Sequence, residues 1–230
     1  LDRAAVLRPL VSGPASERRG VQVRASFMAN LPAFGYQVYA VAPAEKPNKP
    51  VIVAHPHNVL ENEHLRVQIS SNGTFTVVEK ASGQIYRDQG FFEDGGDCGD
   101  GYNYSYPLED SVENTLGLAP RISCLSSGPA VQRYRLDFNL SLPEGLDDLR
   151  RKRTDQRIAC PTSVVLTLAQ GSPRLDLEVT IDNHARDHRL RMVFPSDIRT
   201  EKSQASAQFD VVAHPIHVIP VPDEGWVEDA

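Results

Sequence analysis

Apolar residues recur at every second position through much of the middle of the chain. Leu65, Val67 and Ile69 alternate with Arg66 and Gln68, and a period of two places one set on the buried face of a strand. Asn72-Gly73 follows, the dipeptide that most strongly marks a hairpin. Phe75 and Val77 then form a return strand, and Ala81-Ser82-Gly83 turns the chain into Ile85-Tyr86-Arg87. Further on, Gln132, Tyr134, Leu136, Phe138 and Leu140 share one face of a long strand, opposite Arg133, Arg135, Asp137 and Asn139. Val164–Leu168 is more continuously apolar, as a central strand would be. Leu175, Leu177, Val179 and Ile181 alternate cleanly. Leu190, Met192 and Phe194 do so again, with Arg189 and Arg191 on the other face. No window of a dozen residues carries a helical stripe. The pattern predicts an all-β chain, an antiparallel β-sandwich built from hairpins.

Earlier in the chain, 21–28 and 35–42 read as two short strands joined by Leu31-Pro32-Ala33-Phe34-Gly35, and 43–50 as a Pro-rich linker. The expected organisation is therefore 1–50, the end of a small preceding β-module plus linker, and 51–230, one large sandwich domain. Phe209–Val212 and Gly225–Glu228 look like strands from the middle of a domain, so the sandwich is expected to be incomplete at residue 230. The chain also opens at Leu1 without an initiator Met, as if cut from something longer.

One stretch breaks the alternation. Phe91 to Pro107 (FFEDGGDCGDGYNYSYP) holds four carboxylates, four glycines and three tyrosines, and it reads as a long irregular loop. Glycine permits close approach of the backbone to another surface. Carboxylates and tyrosines hold sugar hydroxyls, and long loops on a regular scaffold are where function concentrates. An acidic, solvated surface loop is the competing account.

Composition narrows the classes. The net charge of −6 over 230 residues argues against a nucleic-acid partner, which needs a clustered basic face. The one basic run, Arg150 to Arg157, sits beside Asp147, Asp148 and Asp155 and reads as a solvated hairpin tip. No apolar run approaches the roughly 20 residues of a membrane helix. Three cysteines without a CxxC leave an odd thiol, which favours a reducing compartment, so a cytoplasmic location is expected. Asn72, Asn103 and Asn139 each begin an Asn-x-Ser/Thr match, of consequence only in a secreted protein.

Candidate chemistries fail one by one. Asp94, Asp97 and Asp100 are three apart, whereas an EF-hand-type calcium loop spaces its ligands by two. His55/His57, His184/His188 and His214/His217 form no zinc motif, and no metal site is expected in this chain. There is no GxSxG elbow, and Cys98 among carboxylates is a poor nucleophile. A glycosidase needs two carboxylates facing each other across a sugar. Four on one loop more naturally line one wall of a pocket.

Several segments taken together resemble one family. They are Leu60-Glu61-Asn62-Glu63, Asn72-Gly73-Thr74, the loop from Phe92 to Tyr104, Asp182 to Arg191 (DNHARDHRLR) and Phe194-Pro195, preceded by Leu31-Pro32-Ala33-Phe34-Gly35-Tyr36. In this order they resemble the C-terminal β-region of glycoside hydrolase family 38, the α-mannosidases, in its bacterial branch. The resemblance implies a sandwich of the galactose mutarotase-like kind. It also implies a zinc-dependent retaining parent enzyme whose zinc and aspartate nucleophile lie in an upstream catalytic domain of the same chain. This part would complete the sugar pocket, would hold no cofactor itself and would hydrolyse nothing alone. By position in the motif, Asp97, Asp100 and Tyr102 would bind mannose hydroxyls of an oligosaccharide or glycoside. Cys98 and Gly101 depart from the family pattern, a basic or small residue being common at the first and Glu at the second. Arg189 and Arg191 share a strand face and are expected either to pair with the loop carboxylates or to form a solvated edge. The loop, without its partner wall, is expected to be partly mobile. A free-standing carbohydrate-binding or structural module is the rival, and a mutarotase-type epimerase, which needs a His facing a carboxylate, a more distant one.

Overall fold

The computed structural model describes residues 27, 29, 31–39 and 57–216. The chain forms two compact units, Leu1–Pro195 and Ser196–Ala230. Among the described residues there are thirteen strands and no helix.

In the first unit, the predicted hairpins form a four-stranded antiparallel sheet in the order β1 (Val59–Glu61), β2 (Leu65–Ile69), β3 (Phe75–Glu79), β4 (Ile85–Gln89). Gly73 is required between β2 and β3 twice over. Its φ of 84° is left-handed, and a Cβ there would stand 2.5 Å from the Phe138 ring and 2.7 Å from Pro120. The facing sheet runs β10 (Asp176–Ile181), β9 (Arg157–Ala169), β8 (Val131–Pro143), β7 (Arg121–Ser127). Strands β8 and β9 are thirteen residues each and pair along their whole length.

The inner faces of these two sheets make the core. Leu60, Val67, Ile69 and Phe75 from one side meet Leu136, Phe138, Leu140, Val164, Leu166 and Leu168 from the other. Gln132 is buried in this layer and fully employed. Its Oε1 accepts from the Glu61 amide at 2.8 Å while its Nε2 donates to the Glu61 carbonyl at 2.6 Å. Asn62 adds a second tie, donating from Nδ2 to the carbonyls of Ala169 and Ser172. Side-chain amides that bridge segments in this way fix their register as well as their separation.

A third, smaller sheet carries the segment of interest, in the order β11 (His188–Val193), β5 (Phe91–Gly96), β6 (Glu113–Asn114). Phe92 turns inward and meets Phe138 edge-on at 5.7 Å. In the second unit, β12 (Lys202–Ala207) and β13 (Asp210–Pro215) form an antiparallel hairpin with the two-residue connection Gln208-Phe209.

Four sequence expectations change. Residues 91–96 are a strand, not the start of an irregular loop. Val164–Leu168 is part of a strand whose burial alternates, Val165 being only partly covered between buried Val164 and Leu166. On β10, Val179 and Ile181 stay about 40% exposed, so their alternation does not mark a fully buried face. Residues 35–39, expected in a strand, form no ladder. They follow a turn in which Gly35 N–H donates to the Pro32 carbonyl. The rest of that strand pair, the linker at 43–50 and Gly225–Glu228 lie outside the described residues.

Candidate functional site

The third sheet has two faces of opposite character, and the register explains why. Leu190 is paired with Asp94, Met192 with Phe92, Arg189 with Gly95 and Arg191 with Glu93. Directly paired residues project to the same side. One face therefore presents Phe92, Asp94, His188, Leu190 and Met192, and the other Glu93, Gly95, Arg189 and Arg191.

On the inward face Asp94 is 2% exposed. Its Oδ2 accepts from the Arg153 guanidinium, and its Oδ1 lies 2.6 Å from His188 Nδ1. Arg153 is itself buried and donates further to the carbonyls of Asp94 and Ser111. His188 Nε2 lies 3.1 Å from Asn183 Oδ1, and the Ala185 amide donates to the same oxygen. A buried carboxylate costs several kcal/mol to desolvate and persists only when paired and hydrogen-bonded. Asp94 meets both conditions. Arg153 was expected on a solvated hairpin tip, and the structure corrects this. The expectation missed it because its partner lies 59 residues away in sequence. Arg157 stays exposed, as expected, but is paired with Glu113 at 2.6 Å. That contact holds the Glu113 carboxyl below its ordinary range, chiefly through the hydrogen bond from Arg157.

His188 and Asp94 are the facing His–carboxylate pair that an epimerase would need. Both ring nitrogens and both carboxylate oxygens are already engaged, however, and both side chains are largely buried.

Beyond Gly96 the chain leaves the sheet and returns by 104–112. Gly95 and Gly96 are small because the return limb lies against them. A Cβ on Gly96 would stand 2.7 Å from Pro107, and one on Gly95 3.1 Å from the Asp110 carboxylate. Asp110 Oδ1 accepts from the Gly96 amide at 2.9 Å, which pins the limb down. Cys98 N–H donates to the Ser105 carbonyl at 2.7 Å and closes the neck. The loop expected to be partly mobile is thus bonded across its base.

Asp97 and Asp100 each build part of this shape. Oδ1 of Asp97 accepts from the amides of Gly99 and Ser105. Oδ1 of Asp100 accepts from Tyr102 and Asn103 at 2.7 and 2.8 Å. Those bonds, Tyr102 first, hold the Asp100 carboxyl below its ordinary range. Oδ2 of each has no hydrogen-bond partner among the described residues. Tyr102 is 94% exposed at the tip.

On the outward face Arg191 pairs with the Glu93 carboxylate. Arg189 makes no carboxylate pair among the described residues; it stays exposed, with its guanidinium over the Tyr104 ring, 4.2 Å from the centroid. A cavity of about 200 Å³ opens between Phe92, Asp94 and Leu190 on one side and Leu140, Leu142 and Arg157 on the other. Sugar-sized sites usually enclose about 300–1,000 Å³, and neither Asp97, Asp100 nor Tyr102 lines this one.

No group of three His, Cys, Asp or Glu side chains among the described residues could hold a metal ion. The described residues thus do not fit the zinc that the family resemblance places in another domain. Among them, no helix is long and apolar enough to cross a membrane.

An antiparallel sandwich that raises an acidic Gly/Tyr loop on a side sheet is the class of domain seen here. Residues 60–220 match the glycosyl hydrolases family 38 C-terminal domain, and the chain belongs to that family. A protein of Halalkalibacterium halodurans named "Putative mannosylglycerate hydrolase" is 27% identical, over 92% of this chain and 25% of its own. An α-mannosidase from Enterococcus faecalis superposes with a TM-score of 0.69 at 28% identity, over 76% of this chain and 22% of its own. A second Enterococcus faecalis structure, of a glycosyl hydrolase family 38 protein, gives 0.68 at 28% identity, over 74% and 22% of the two chains. This chain thus spans about a quarter of the relatives it matches.

Proposed function

We propose that this chain is the sugar-site wall of a mannoside-cleaving glycoside hydrolase, acting with a catalytic domain elsewhere in the same polypeptide. That domain would carry the zinc and the nucleophile; this one would bind and orient the mannose ring and hydrolyse nothing alone. The observation that carries the reading is the division of labour within Asp97 and Asp100. One oxygen of each carboxylate is spent on backbone amides that set the loop's shape, and the other is left for a ligand. A carboxylate held in place this way loses little freedom when it accepts a hydroxyl, and charge-assisted bonds of this kind are the strong ones. Tyr102 beside them offers a ring face and an OH. The proteins similar to this chain include one named for mannosylglycerate and one for α-mannosides, which supports a mannoside as the ligand.

Asparagine separates the two roles, because its side-chain oxygen still caps the turn while the charge is gone. In the full-length protein, Asp97→Asn and Asp100→Asn are each expected to lower kcat/KM on an aryl α-mannoside by about tenfold or more. Thermal stability should hold. Unchanged kcat/KM in both variants would reject the loop as a sugar wall. Robust turnover by residues 1–230 alone would reject the division of labour.

A further inference from the structure

The turn at 144–156 joins β8 and β9, the two strands that pair along their whole length. Its basic residues reach the base of the acidic loop from below. Arg153 donates from Nη1 to the Asp94 carbonyl at 3.2 Å, on the outgoing strand. The same nitrogen donates to the Ser111 carbonyl at 3.1 Å, on the returning limb. The Arg151 carbonyl accepts from the Glu109 amide at 2.9 Å, further along that limb. Arg150 pairs with Asp187 at 3.2 Å, and the Asp187 carbonyl accepts from the Asp97 amide at 3.0 Å. Asp147 holds the turn itself, its Oδ1 accepting from the Arg151 and Lys152 amides. One turn thus fixes the separation of the two limbs and, through Asp187, the backbone of Asp97.

The side chains of Arg153 and Asp94 are 2% and 3% exposed. A buried ion pair gains little stability over an apolar pair of the same volume. What the guanidinium supplies is direction. Its planar fork reaches the Asp94 carboxylate and two carbonyls at once, from two nitrogens held in one plane. We infer that Arg153 is a positioning residue of the sugar site, setting from the β8–β9 turn where the loop presents Asp97 and Asp100. This rests on the sugar-wall reading of those two carboxylates, and it places the control of their geometry outside the loop.

The test uses the full-length protein and an aryl α-mannoside. Arg153→Lys keeps the charge beside Asp94 but not the fork, and should lower kcat/KM about tenfold. In an Asp97→Asn background the same substitution should cost less than about threefold, because a group that it positions is already disabled. Damage to the fold alone would cost the same factor in both backgrounds. Leu166→Ala, in the core between the two large sheets, should lower the urea midpoint yet leave kcat/KM within about twofold of wild type. Where Arg153→Lys does not fold, Asp147→Ala decides, since it loosens the turn without stranding a buried charge. Its expected loss is about threefold, and that loss should shrink in the Asp97→Asn background in the same way. Equal loss in both backgrounds, or no loss, overturns the inference; a loss in Asp97→Asn alone then leaves the sugar wall standing. Asp97→Asn and Asp100→Asn both matching wild type overturns the two readings together, for Arg153 would then have no sugar contact to position.

Discussion

Individual glycines in the loop differ sharply in what surrounds them. Gly99 has the Asn103 carbonyl where a Cβ would sit, at 1.8 Å, and Gly96 has Pro107 at 2.7 Å. Gly101 has nothing within 4 Å. Gly96→Ala should therefore cost about 1–3 kcal/mol, because the buried proline can yield only by moving the return limb. Gly101→Ala should stay within about 0.5 kcal/mol of wild type. Urea unfolding of the two variants side by side checks this, and equal costs would show that the return limb does not bear on Gly96. None of this is legible in the residue letters. The four glycines look alike in sequence, and only the path of 104–112 tells them apart.

At the scale of elements, strands with one buried face were readable and the third sheet was not. β2 and β8 follow their alternation residue for residue, because each has one face on the core. β5 hides its strand character because the inward position after Phe92 is Asp94, and a charged residue in that place reads as loop. The acid is tolerated only through Arg153 and His188, from segments far off in sequence. β10 fails in the other direction: its alternation is clean, but nothing in a single sequence says what covers a face. The buried cluster joins three elements, β5, β11 and the turn at 144–156. Asp94→Ala and Arg153→Ala should each destabilise by about 3–5 kcal/mol, since each strands a buried charge. The double variant should cost clearly less than their sum in a double-mutant cycle. Additive losses would mean that the two do not act as a pair.

For the whole molecule, the ion pairs on the first unit set a direction of pH dependence. Glu61 is held below its ordinary range, first by the hydrogen bond from Lys80, and Glu113 likewise by Arg157. A carboxyl whose folded value is depressed contributes stability that is fully present above its unfolded value, near pH 4.5. That contribution fades as pH falls through the folded value. The contribution of these two carboxyls should thus be constant above about pH 5 and decline below about pH 4.5. In Glu113→Gln the decline should be shallower, as read from urea midpoints measured across that range. An identical slope would remove Glu113 from the acid response.

The contrast between Gly99 and Gly101 reaches beyond stability. From Asp97 to Gly99 and from Asn103 to Pro107 the loop is clamped, whereas positions 101 and 102 project with no packing obligations. Substitutions at those two positions alter what the loop displays and leave its support untouched. If the loop serves as the proposed sugar wall, a lineage of such proteins can retune sugar preference at the tip in single steps, while the clamp on either side restricts drift in the loop's path.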